Sequence, residues 1–175
     1  NDKKSQGWVD LTHGEVDQVY LMGLSSRGGD VSLRPNDTYK LIAQDTHSVT
    51  YERITDEGIK IRREYQFSDK DFSYEHRVTI ENEGNVGREV QFDLQMTGKQ
   101  KSGDASSGMM SPMGTGLGAS CHGSDDEHHR VELSDLEDEP LNITTPLRHV
   151  AVDDQYFLHA LVPNPVDKAS CHIRL

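Results

Sequence analysis

Residues Val150 to Pro163 read VAVDDQYFLHALVP, and the reading of this stretch decides the fold. Val150, Val152 and Asp154 share one parity. From Tyr156 onward the apolar residues crowd together through Phe157, Leu158, Ala160, Leu161 and Val162. Alternation that passes into a continuous apolar run is the pattern of a strand going from half-buried to fully buried. Pro163 and Pro165 stop it, because proline cannot donate to a ladder. A single central core strand is expected here, with Tyr156, Phe157, Leu158 and Leu161 buried.

Upstream, the same period of two recurs. Trp8–Leu11 and Val16–Leu24 read as the first strands, the second with apolar residues on both faces, among them Tyr20 and Leu21. Arg27-Gly28-Gly29-Asp30 follows, and the paired glycines allow positive φ and mark a turn or bulge. No G-x-G-x-x-G or G-K-[ST] pattern accompanies them, so a phosphate-cradling loop has no support. Val31 and Leu33 restart a strand, and Tyr39–Ala43 is another. Ser48–Ile54 and Ile59–Phe67 are joined by Thr55-Asp56-Glu57-Gly58, a hairpin signal. Phe72–Asn82 and Val86–Met96 alternate in turn, so that Ile59–Phe67 and its two successors read as a meander. Val78, Ile80, Val90, Phe92 and Leu94 join the expected core. With no sustained period of 3.6 residues, the class is all-β, a twisted sandwich of mainly antiparallel strands in one domain over 1–175. Gly98–Gly118, rich in Gly, Ser and Met, is expected to be a long surface loop, with Met109, Met110 and Met113 as an adaptable contact surface.

The formal net charge is −12, which argues against nucleic acid, since phosphate binding needs a basic face. No run is long and apolar enough for a membrane span, and no signal peptide is recognised. Composition alone therefore describes a soluble domain.

Chemistry-bearing residues cluster in one place. Cys121, His122, His128 and His129 are all acceptable zinc or copper ligands. Their spacing matches neither a finger nor an H-E-x-x-H helix, and adjacent His128 and His129 point to opposite faces of a strand. No metal and no cofactor is assigned. Glu132–Glu139 lacks the order of a calcium loop and reads as a solvated loop. Cys121 and Cys171 are compatible with a disulfide and equally with two free thiols. His76 has inward parity and His159 lies in the expected core strand; both are candidates for an acid–base role with Glu or Asp, but a lone inward histidine is more often a satisfied core residue. No residue is assigned as catalytic.

Three motifs, in order along the chain, resemble the periplasmic domain of the YidC membrane protein insertase family. They are RGGDV at Arg27–Val31, the strand from Asp71-Phe72 to Asn82-Glu83-Gly84, and His149-x-Ala151 followed by Tyr156-Phe157, Ala160 and Pro163. His149 stands where the family has tryptophan. The resemblance implies a β-super-sandwich of galactose mutarotase type, incomplete at its C-terminus. It also implies a non-catalytic scaffolding module facing the periplasm at the bacterial inner membrane. The expected partners are Sec translocon components or other insertion proteins, or a peptide or carbohydrate-like ligand in a cleft. The alternative is a carbohydrate-binding or mutarotase-like enzyme on the same fold.

Overall fold

Ile59 and Ile61 point the same way from one strand, and the first half of the chain is built over them. The computed structural model describes residues 22–96, 118–132, 140–153, 158–164 and 169–173. Among the described residues there is no helix, and every strand pair is antiparallel. The chain divides into two compact units, Asn1–Met96 and Thr97–Leu175.

In the first unit, β2 (Lys40–Gln44), β3 (Ser48–Ile54), β4 (Ile59–Phe67) and β5 (Tyr74–Asn82) form a sheet in that order. The β3–β4 hairpin closes where the sequence places it. Gly58 has φ +81°, Gly58 N–H donates to the Thr55 carbonyl at 3.0 Å and Thr55 N–H to the Ile59 carbonyl at 2.9 Å. A second layer pairs β1 (Gly23–Gly29) with β6 (Val90–Gln95). Between the layers lie Leu24, Val31, Leu33, Ile59 and Ile61, all buried. Tyr39, Val78, Val90, Phe92 and Leu94 are half-buried against them. This is a two-layer β-sandwich.

Three expectations need correction here. The meander is β2 to β5, and β6 does not continue it but crosses to β1. Asp30 makes that closure: its N–H donates to the Glu89 carbonyl at 2.9 Å, and its carboxylate accepts from Glu89 N–H at 3.1 Å. Gly29, at φ +80°, permits the approach, because a Cβ there would sit 2.5 Å from the Glu89 oxygen. Gly28-Gly29 is thus the bulged end of β1, with the register shifting between Ser26 and Gly29. Val31 and Leu33 restart no strand; they are buried from irregular backbone that Ser26 holds through both its N–H and its hydroxyl. Ile80, expected in the core, is exposed because β5 is a sheet edge.

In the second unit, β7 (Gly118–Gly123), β8 (His128–Glu132), β10 (Leu147–Asp153) and β11 (Leu158–Leu161) form a sheet ordered β11-β10-β7-β8. β9 (Leu141–Ile143) pairs with β12 (Cys171–Ile173). Cys121 of β7 and Cys171 of β12 are joined by a disulfide, which settles the pairing the sequence leaves open. Around it pack Leu147, Ile143, Val150, Ala169 and Ile173. The second unit is likewise two-layered.

β10 is interior to its sheet, as expected, but Val150–Pro163 is not one strand. β10 begins at Leu147 and pairs antiparallel with β11, Val150 against Leu161 and Asp153 against Leu158. Two strands folded on each other mimic one long apolar run. β11 is the sheet edge, so Leu158 is 67% exposed rather than core, and Leu161 is half-buried. Tyr20, Leu21, Tyr156, Phe157 and nearly all of Gly98–Gly118 lie outside the described residues. Gly118 itself opens β7 and is buried, so it does not belong to a loop.

Candidate functional site

Past Ile59 and Ile61, the inner face of β4 continues through Arg63, Tyr65 and Phe67. The register sets these beside His76 and Tyr74 of β5 and Tyr51 of β3. Arg63 is buried, which a cation tolerates only with partners. Its Nη2 donates to the Met22 carbonyl and its Nε to His76 Nε2 at 3.3 Å. Its guanidinium lies over the rings of Tyr39 and Tyr65, 5.3 and 5.6 Å from their centroids. His76 stacks on Tyr65 with centroids 4.3 Å apart. Outward from this pair the rings continue: Tyr51 and Tyr65 at 6.3 Å, Tyr65 and Tyr74 at 6.1 Å, Tyr74 and Phe67 at 5.8 Å. Phe67 and Tyr74 are exposed, and Phe72 in the connecting turn is fully so. The result is an aromatic shelf with an arginine fixed at its inner end.

Burial, then the adjacent Arg63 charge, pushes His76 down to about 4. With Arg63 donating to Nε2, the neutral ring carries its proton on Nδ1, which is buried without a partner. Among the described residues, no ion pair includes His76. A ring so poor in basicity and without a carboxylate partner is ill-suited to the acid–base role considered for it. His159 is half-buried on the edge strand β11, opposite Val152. A depression of about 240 Å³ at the β3–β5 sheet is lined by Ser48, Thr50, Glu64, Tyr65, Gln66, Glu75 and Arg77, with no histidine.

The depressed His76 gives a pH prediction. Above about 6.5, neither the folded nor the unfolded state protonates this ring. As pH falls from 6.5 to about 4, the unfolded chain takes the proton and the folded one resists it, so stability is lost across that window. After allowance for solvent screening the loss is about 1–2 kcal/mol. His76→Phe keeps a ring for Tyr65 and removes the titration. It is expected to flatten this part of a melting-temperature profile, and an unchanged slope would contradict the assignment.

The structure re-sorts the metal candidates. Cys121 is committed to the disulfide. His129 stands opposite Cys121 and pairs with Glu127 at 3.3 Å. His122 and His128 are cross-strand partners on the other face, with ring centroids 5.8 Å apart. His149, unconsidered as a ligand from sequence, is the partner of His122 on its other side, at 5.0 Å. Among the described residues, no three His, Cys, Asp or Glu side chains stand in a metal-holding arrangement.

Sequence parity could have found the shelf, since Arg63, Tyr65 and Phe67 alternate on one side of β4. The histidine alignment needs the β10–β7–β8 register, which no local pattern displays.

The family model of the YidC periplasmic domain matches residues 2–174. This chain belongs to that family. A relative described as membrane protein insertase YidC, from Shewanella piezotolerans, is 28% identical over 130 residues, covering 74% of this chain and 23% of the relative. The chain thus spans less than a quarter of the length of the YidC it matches. No solved structure matches it. The two-layer antiparallel units agree with the β-sandwich expected of a YidC periplasmic domain.

Proposed function

We propose that this chain is one periplasmic domain, comprising both units, of a YidC-type insertase, and that it performs no chemistry. It serves as a scaffolding and interaction module at the periplasmic face of the bacterial inner membrane. The observation that carries this reading is the family match across residues 2–174, which takes in both units. Its partners are Sec translocon components or other insertion proteins. The surfaces suited to them are the aromatic shelf of Tyr65, Phe67, Phe72 and Tyr74, and the edge strand β2, which exposes Leu41 and Ile42. Insertion of apolar helices into the bilayer belongs to membrane-embedded parts of the whole protein.

Deleting most of this domain from the full-length protein is expected to leave insertion of a simple membrane substrate largely intact. Loss of all insertion, with the truncated protein folded and present in the membrane, would defeat the proposal. So would clear acceleration of α-glucose mutarotation by the isolated chain, which would establish the carbohydrate-enzyme reading instead.

A further inference from the structure

His149, His122 and His128 are in direct register on three adjacent strands, β10, β7 and β8. Their rings therefore form a row across one face of the sheet, opposite the face that carries the disulfide, with centroid spacings of 5.0 and 5.8 Å. Side chains directly opposite on paired strands interact strongly, and like charges there are destabilising. The middle ring is the constrained one: His122 Nε2 is buried without a hydrogen-bond partner.

Among the described residues, few charges face the row. From the β7–β8 turn comes Asp126, whose Oδ1 is 3.8 Å from His122 Nε2. From β10 comes Arg148, whose Nη1 holds the same oxygen at 2.7 Å. One register step along the same face, Arg130 of β8 is engaged by Asp153 of β10 at 3.0 Å and by Glu132 at 3.5 Å. By register, His129 and His159 lie on the opposite face. Among the described residues, the row thus has one carboxylate within reach, already shared with an arginine, for three imidazoles.

We propose that the row His149–His122–His128 is an acid-sensitive latch on the second unit: positive charge accumulating on its aligned rings loosens the edge strand β8 from β7. One proton on the row can be balanced by Asp126, whose Oδ1 lies 3.8 Å from His122 Nε2. A second must sit one strand away from a like charge, on rings spaced too closely for water to screen them fully. Protonation of His149 is already held down, by burial first and then by charge on His122 and His128. β8 is the strand to yield, because among the described residues it is paired on one side only, whereas β10 is held between β7 and β11.

The test is an NMR titration of the imidazole Cε1 protons of the 175-residue chain, from about pH 8 to about pH 5. The three rings are expected to titrate at separated midpoints, with the His149 midpoint rising by about half a unit or more in His122→Asn. Amide exchange in β8, corrected for its intrinsic pH dependence, should accelerate below the second midpoint, while that in β10 stays slow. His128→Asn, at the exposed end of the row, supplies the same readout should His122→Asn fail to fold. Rings that titrate at one common midpoint, a His149 midpoint unmoved in the variants, or β8 exchange that ignores pH would each overturn the latch.

Discussion

Replacing Cys121 and Cys171 together by alanine is expected to lower stability by about 4 kcal/mol. The bridge closes a loop with a sequence separation of 50. Without it, the unfolded chain regains the freedom that closure removes, and for a loop of this length that freedom corresponds to about 4 kcal/mol in the chain-entropy account. Domains of this size are stable by only about 5–15 kcal/mol, so the loss is a large share. The sulfurs also sit in the apolar cluster with Leu147, so the variant loses packing as well. Denaturant unfolding with and without reductant checks the result independently of mutation. Superimposable curves would mean that the two cysteines are not linked in the folded protein.

Ile61→Ala should cost about 2–5 kcal/mol. Ile61 is 0% exposed and packs in the cluster with Leu24, Val31, Leu33 and Ile59, where both layers of the first unit meet. The cost combines lost transfer energy with a cavity that rigid strands on both sides cannot close. Leu158→Ala is the control. Its side chain is 67% exposed on β11, so truncation should change stability by no more than about 0.5 kcal/mol. Equal losses at the two positions, measured by urea unfolding, would show that the core has been misplaced.

The contrast between these residues shows what a sequence of strands discloses. Ser48–Ile54 and Ile59–Phe67 have the bounds that alternation and the Gly58 turn suggest, because a tight hairpin is a local object and its register follows from its turn. Boundaries drift where side chains extend a turn. β5 begins at Tyr74 rather than Phe72, since the Asp71 carboxylate accepts from Ser73 N–H at 3.1 Å and holds the preceding residues out of the ladder. Partner choice is less legible still. That β6 joins β1 depends on Asp30 meeting Glu89 across 59 residues, and parity carries no such information. Leu158 fails for a related reason. Apolar composition identifies a strand, but only its place at the sheet edge decides which of its side chains remain in water.

Parts of the candidate site follow the same division. The aromatic parity of β4 was open to view, whereas the alignment of His149 with His122 and the union of Cys121 with Cys171 are products of long-range register. The family motifs located the chain among its relatives without locating a binding surface, because two of the three serve the backbone. Arg27–Val31 carries the bulge that brings β1 to Glu89, and Asp71 shapes a turn.

The covalent link between β7 and β12 has a consequence for damage. Every bond between Cys121 and Cys171 lies inside a closed ring that contains β8, β9, β10 and β11. A protease that cuts once within the ring opens the chain without detaching either fragment, and the apparent mass on a gel falls only after a reductant is added. A cut before Cys121, by contrast, leaves two pieces that no covalent bond joins. The two units therefore differ in how they survive a nick: the second can be cut and still be held together, whereas the first depends wholly on its packing.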